Sequence, residues 1–409
     1  IRLGLVGSEM CIRDRHWPFK QHKTSRNIKT LPYHDELKSF GACFGVSGGY
    51  ERPMWFALDG EKTEYEYSYN YQNWYPSAEY ETNNTIKNVG LFDLTPFSKF
   101  EIKSNQAHRE LQKICTSNIK NEAGKCVYTH MLNPDGGIET DLTVVCIEKD
   151  HFRIISSAAT RERDKFHINK HLAKDVELKD VTDDYCVFGV FGPKSRALMK
   201  SISKDNFEND NFRFSTAKYI TIEGIKIWTQ RLSYVGELGY ELYVKSEDAK
   251  KIYELLINKG KDFNLSNCGM HAMDIMRMES GFLHWGHDIS PEENQYQAGL
   301  SFTISSKKED EFIGKKALEK IKKEKIKSRF AMFTLKDSKP GEPLLLHDEP
   351  IYLENKIIGR STSGNYSFNF RKNLTFGYIN NDISNDELHT KNLFIEVEKK
   401  KYPIKACLL

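Results

Sequence analysis

The sequence predicts an α+β fold that ends in a small antiparallel barrel or sandwich. Three observations predict it. Between residues 90 and 160, short apolar segments alternate with turns and with helical stretches. Residues 216–245 read as strands that fold back on one another. From Phe330 to Leu409 the texture changes to short β-type runs separated by turns, a pattern that suits a unit of ~80 residues.

In chain order, residues 16–60 are mixed, with turn signals at Gly48-Gly49 and Pro53. Tyr65, Tyr67, Tyr69 and Tyr71 recur at every second position, which puts them on one face of a strand or an extended arm covering a core. Strands are expected at Val89–Leu94, Lys99–Ile102, Asp141–Ile147 and Phe152–Ser156, with helices over Gln106–Cys115 and Arg161–Leu172. The segment TAKYITIEGIKIWTQR predicts a hairpin turning on Glu223-Gly224. Further helices are expected over 247–258 and over His271–Ser280, the second stopped by Gly281. Residues 315–327 read as a charged, solvated helix leading into a linker. The closing unit is built from Ala331–Leu335, Pro350–Leu353, Lys356–Ser363, Leu374–Ile379, Phe394–Glu398 and Tyr402–Leu408.

At ~100–200 residues per domain, 409 residues suggest two or three domains. A net charge of +3 is too small to argue for a nucleic-acid partner. No run of ~18 apolar residues predicts a membrane-spanning helix. None of the eight cysteines is spaced C-x-x-C, so a zinc or dithiol site has no support, and scattered thiols suit a cytoplasmic setting. The sequons at Asn83, Asn264, Asn365 and Asn373 are then expected to be unused. Ile1–Arg15 joins poorly to the chain from His16 onward and resembles a translated adaptor sequence, so it is set aside as a non-native stub. Gly4 and Gly7 lack the third glycine and the downstream acidic residue of a dinucleotide loop. Without an initiator Met, the chain reads as a fragment.

Three segments carry candidate chemistry. In Tyr128–Val144 a turn at Pro134–Gly137 leads into a strand. Alternation there puts Glu139 and Asp141 on one face and Leu142 and Val144 on the other. Asp141 is either a plain exposed carboxylate or, if its face borders a cleft, a group able to move a proton. In Arg231–Leu242, glycines interleave with Tyr234, Glu237 and Tyr240. Glu237 is either a satisfied surface side chain or an acceptor for an aminopyrimidine edge, whose adjacent N–H donors a carboxylate matches. In Met273–Asp288, Asp274 and Arg277 pair at i, i+3, either as a structural ion pair or with Arg277 clamping a ligand carboxylate. His284 and His287 have no third ligand at a suitable spacing, so no metal is assigned.

The order and spacing of these segments together resemble the glycine-cleavage T-protein (aminomethyltransferase) superfamily. The resemblance is carried by GLFDLTPFSKFEI at 90–102, MLNPDGGIETDLTV at 131–144, FGPKSRAL at 191–198, RLSYVGELGYELYV at 231–244, MRMESGFLHWGHDISPEENQYQAGLSF at 276–302, and Gly359–Ser367. Within it, YHDELKSFGACFGVSGGYERPMWFA at 33–57, EYSYNYQNW at 66–74 and Thr95-Pro96 in place of the usual Ser-His resemble the C-terminal, folate-binding half of dimethylglycine and sarcosine dehydrogenases. The resemblance implies a T-protein-like folate-binding domain at 33–314, made of ferredoxin-like and antiparallel-sheet subdomains. It further implies a linker helix at 315–328 and a T-protein C-terminal β-barrel at 329–409. Residues 16–32 would be the remnant of a preceding FAD-oxidoreductase region.

The resemblance also implies roles. Asp141 matches the acidic residue that orients and deprotonates the folate amine, and Glu237 the glutamate that reads the pterin. Tyr128 and Tyr234 match pocket walls, and Arg277 an arginine near the folate's acidic tail. Thr140 stands where the T-protein has a second aspartate, and Phe191 replaces the usual Gln before Gly-Pro. The implied activity captures the carbon of an oxidised N-methyl amine on tetrahydrofolate, with FAD confined to the region upstream. The alternatives are a stand-alone aminomethyltransferase or folate-dependent demethylase, and a folate-binding module without catalysis.

Overall fold

The structure, a computed structural model, describes residues 17–308 and 310–407. The stub Ile1–Arg15, with Cys11, lies outside them. In chain order the elements up to the first large sheet are α1 (His34–Ser39), β1 (Ala42–Ser47), β2 (Tyr50–Phe56), α2 (Tyr75–Lys87), β3 (Val89–Asp93), β4 (Ser98–Lys103), α3 (Ala107–Ile114), β5 (Cys126–Leu132), β6 (Ile138–Glu148), β7 (His151–Ser156), α4 (Arg161–His171), β8 (Leu178–Asp180) and β9 (Tyr185–Phe191). Then come α5 (Ser195–Ile202), β10 (Ala217–Ile222), β11 (Ile225–Gln230), β12 (Gly239–Lys245), α6 (Ala249–Gly260), β13 (Leu265–Cys268), α7 (Met270–Glu279) and α8 (Lys315–Lys323). The last are β14 (Ser328–Leu335), β15 (Pro350–Leu353), β16 (Lys356–Ser367), β17 (Lys372–Asn380), α9 (Asn385–Thr390), β18 (Leu393–Val397) and β19 (Lys400–Cys407).

Besides the two-stranded β1-β2 hairpin, two sheets and a barrel organise them. The first sheet has strand order β10-β11-β12-β9-β3-β13 and the second β5-β6-β7-β4-β8. All pairings are antiparallel except β13 with β3. The third unit is a closed barrel in the order β14-β17-β16-β15-β18-β19. The predicted hairpin forms as read: Ile222 pairs Ile225 across Glu223 and Gly224, whose φ values of 50° and 79° give the turn a twist that matches its strands.

On the second sheet, strand alternation divides the side chains cleanly. Leu142 and Val144 face a core with Phe100, Leu111 and Ile154. Cys126, Val145 and Ile147 face the other way, into a core shared with Phe92, Trp228, Tyr243 and Met273 of the first sheet and α7. That second core joins the two sheets, and the polar residues that continue its face lie along the same seam.

The tyrosine expectation resolves to its second form, and two others are corrected. The tyrosine arm pairs with no strand. Tyr65 and Tyr67 stack at 5.5 Å and Tyr65 hydrogen-bonds His271, while Tyr71 stays exposed, so it is an extended arm laid over α7. The charged helix is shorter than read and ends at Lys323, with Glu324 already extended. It is not wholly solvated either, since Leu318 is buried against Leu132, Ile138 and Phe312. Helices at His34–Ser39, Tyr75–Lys87, Ser195–Ile202 and Asn385–Thr390 appear where none was expected, the last held by a capping box of Ser384 and Glu387.

Candidate active site

Asp141 sits on β6 opposite His130 of β5. Directly opposed residues share a face, so both project to the side that the inter-sheet core occupies further along. Tyr128, two residues before His130, joins them. The Tyr128 hydroxyl lies 3.3 Å from His130 Nε2, and Asp141 Oδ1 lies 3.7 Å from the same nitrogen. His130 is fully buried, whereas the Asp141 side chain keeps 18% of its surface exposed. Asp141 Oδ1 is itself buried and accepts no hydrogen bond. An unpartnered buried carboxylate oxygen is costly, and here it marks a place where a ligand N–H fits.

Electrostatics agree with that geometry. Burial pushes the Asp141 carboxyl up to about 7, with the Tyr128 hydroxyl opposing and the Asp164 carboxylate adding to the rise. Burial pushes His130 down to about 3, so the ring is neutral. Asp164, on α4, accepts hydrogen bonds from Thr140 and Thr160 at 3.2 and 2.6 Å. Thr140, which departs from the T-protein pattern, therefore anchors that buried carboxylate. Glu139 faces Arg163 in an ion pair of 2.6 Å, and the Arg163 guanidinium lies 4.5 Å from the Trp285 ring centre.

The second wall comes from the loop between β11 and β12. Gly236 has φ 76°, and a Cβ there would meet Ser280 Oγ at 2.1 Å, so only glycine lets this loop close on the end of α7. The close approach lets the Tyr234 hydroxyl donate to the Leu283 carbonyl at 2.8 Å and its ring stack on Phe282. Tyr234 packs against the inter-sheet core, and Asp141 is among the charges that act on its hydroxyl. Glu237, three residues on, is half-buried and has no hydrogen-bond or ion-pair partner among the described residues, and burial raises its pKa. Across the seam, Gly137 brings the β5–β6 turn against the Pro291 carbonyl, where a Cβ would stand at 1.9 Å. Trp285 Nε1 donates to the Ile138 carbonyl at 3.0 Å, tying the 283–300 segment to the same turn.

Asp141 and Tyr128 thus meet directly, Tyr234 borders them, and Glu237 is presented by the Tyr234 loop without touching Asp141. Arg277 has a different setting from the expected ligand clamp. It is buried, and its guanidinium donates to Asp274, Asp288, the Phe282 carbonyl and Ser363. A carboxylate clamp needs a free pair of N–H groups, and these are committed within the protein. His130, Asp164, Thr303 and Asp288 were not singled out from sequence. The Tyr-x-His spacing on β5 carried a signal for His130 alone. A separate groove of ≈ 330 Å³ on the barrel, lined by Lys336, His389, Lys391 and Lys405, contains none of these residues.

The whole architecture matches the crystal structure of the glycine cleavage system aminomethyltransferase T from Bartonella henselae, with TM-score 0.78 and 20% identity over 94% of this chain and 98% of that one. The chain is 37% identical over 353 residues to a 4-methylaminobutanoate oxidase (formaldehyde-forming) of Paenarthrobacter nicotinovorans, covering 86% of this chain and 42% of that protein. It is 32% identical over 363 residues to human mitochondrial dimethylglycine dehydrogenase, covering 88% of this chain and 41% of that protein. The chain therefore spans about two fifths of the length of these relatives. The GCVT N-terminal domain matches residues 33–308 and the glycine cleavage T-protein C-terminal barrel domain residues 329–409, so the chain belongs to the glycine cleavage T-protein family.

Proposed function

We propose that this chain binds tetrahydrofolate at the seam between its two sheets and catalyses transfer of a one-carbon unit to it. The carbon would come from an oxidised N-methyl amine such as dimethylglycine or sarcosine, and the product would be 5,10-methylenetetrahydrofolate. The observation that carries the reading is the buried, unpartnered Asp141 Oδ1 in a carboxyl group raised to about 7. The residues present fit the ligand. Glu237 offers a free carboxylate to the adjacent N–H donors of a pterin, and Tyr128 and Tyr234 offer ring faces and edges. The Arg277 role stays outside this proposal.

Bound tetrahydrofolate supplies the amine nitrogen that captures the carbon. Asp141 takes the proton from that nitrogen at Oδ1, and a carboxyl group near neutrality is matched to the task. Glu237 and the two tyrosines fix orientation, and orientation of this kind is worth up to ~7–11 kcal/mol of barrier. A flavin-dependent amine-oxidising partner would generate the reactive carbon, as the relationship to methylated-amine oxidases and dehydrogenases suggests.

The test supplies the purified chain with tetrahydrofolate and an N-methyl amine that an added flavin amine oxidase is oxidising. Formation of 5,10-methylenetetrahydrofolate is measured over the spontaneous background. Asp141→Asn is expected to leave tetrahydrofolate affinity nearly intact and to lower the catalysed rate ~10²–10⁴-fold. Unchanged turnover would remove Asp141 from the mechanism, and no binding by the wild type would remove the folate reading.

A further inference from the structure

The buried imidazole beside Asp141 has its tautomer written into its surroundings. Thr303 Oγ1 lies 2.7 Å from the Leu300 carbonyl oxygen and 3.0 Å from His130 Nδ1. A carbonyl can only accept, so the single hydroxyl proton goes to Leu300 and Oγ1 turns a lone pair toward the ring. His130 Nδ1 must then supply the N–H. With the ring neutral, Nε2 is left as a bare acceptor, and it faces the Tyr128 hydroxyl and Asp141 Oδ1.

We propose that His130, fixed as its Nδ1–H tautomer by Thr303, is a positioning residue that keeps Asp141 basic and orients the proton Asp141 accepts. This rests on the proposed role of Asp141. In the ionised state, a lone pair on Nε2 set against the carboxylate oxygen disfavours the negative charge and so raises the group's affinity for a proton. When the amine N–H bond breaks, a new O–H bond forms at Asp141, and that hydrogen is turned toward the Nε2 lone pair, 3.7 Å from Oδ1. The ring itself stays neutral, so no charge is created in the buried site. The other groups acting on Asp141 are Tyr128 on β5, Asp164 on α4 and Tyr234 from the β11–β12 loop, and Glu139 shares its face two residues back on β6. Glu139 is neutralised by Arg163, and Asp164 acts in the same direction as the imidazole lone pair.

The geometry has a specific consequence at Thr303. Removing its hydroxyl leaves Nδ1–H without an acceptor, and the ring gains by moving its proton to Nε2. It would then donate to Asp141 instead of accepting from it, and a hydrogen bond to the charged form lowers a carboxyl pKa. Thr303→Ser keeps the hydroxyl and serves as the conservative control.

Two measurements on the ligand-free chain test this. The ¹⁵N shifts of the His130 ring are expected to show Nδ1 protonated and Nε2 unprotonated in the wild type and in Thr303→Ser, with the pattern reversed in Thr303→Val. The Asp141 ¹³Cγ titration is expected to move down by about one pH unit in Thr303→Val and to stay in place in Thr303→Ser. The acid limb of the transfer rate should follow the same shift. A wild-type ring protonated at Nε2, or an Asp141 titration indifferent to Thr303→Val, overturns the proposal. Should the wild type transfer no carbon at all, the folate reading falls by itself, while the two ligand-free measurements still decide the role of His130.

Discussion

At the residue scale, Glu237 is the clearest case of a side chain whose environment asks for a ligand. Its carboxylate is half-buried and raised by burial, yet nothing in the described protein donates to it. Hydrogen bonds to a charged group contribute ~1.5–3 kcal/mol. Glu237→Gln retains size but presents an N–H where a pterin also presents N–H. Tetrahydrofolate binding, followed by calorimetry, is therefore expected to weaken ~10–100-fold, with little change in the rate at saturating ligand. A Kd within twofold of wild type would place the pterin elsewhere. The placements of Asp141 on a strand and of Glu237 on a glycine-bounded loop were legible in the sequence because those signals are local. His130 was not, since its tautomer depends on Thr303, 173 residues away. A histidine among apolar strand residues otherwise reads as core.

At the scale of elements, the alternating strands were readable, whereas β1, β2 and β9 and the helices α1, α2, α5 and α9 were not. β9 is buried on both faces and shows no period-two pattern, whereas strands such as β6, β10 and β14 carry one, which survives without knowledge of partners. The shortened α8 shows the opposite. Its lysines continue past the helix end without any local stop signal, and the helical part is the one whose Leu318 and Ile321 dock on Leu132 and Ile138. α9 did carry a signal, Ser384 followed three residues later by Glu387, but six residues are too few for a visible helical period. Its capping box closes both ways: Ser384 Oγ accepts from the Glu387 amide, and Glu387 accepts from the Ser384 amide. Because Leu388 is buried in the barrel core, fraying here loosens that core. Ser384→Ala should cost about 1 kcal/mol, seen as faster hydrogen exchange at the amides of Glu387 and Leu388. Unchanged protection there would mean that packing of Leu388 alone holds the turn.

At the scale of the whole molecule, one polar seam joins α7 to the barrel, and it was invisible in the sequence because its halves lie far apart in the chain. Asp274, Arg277 and Glu279 of α7 meet Asn365, Ser363 and Ser367 of β16 in turn. Asp288 sits at the centre. One of its oxygens accepts from Thr362 and Ser363 at 2.6 and 2.7 Å, and the other from Arg277 and the His284 amide at 2.6 and 2.9 Å. Fully satisfied, this network fixes the angle between the barrel and the wall of the proposed folate site, since residues 282–288 also carry the Leu283 carbonyl that holds Tyr234. Arg277→Met strands the Asp288 charge in the interior and is expected to destabilise the protein by about 3–5 kcal/mol in urea denaturation. Arg277→Lys should recover little, because a point charge cannot serve Asp274, Asp288 and Ser363 at once. Arg277→Met with Asp288→Asn removes both charges and should be milder than Arg277→Met alone, giving a coupling energy in a double-mutant cycle. A ligand clamp would behave differently: tetrahydrofolate affinity would fall in Arg277→Met while the urea midpoint stayed put. That outcome would return Arg277 to the folate tail and leave the seam to its remaining hydrogen bonds.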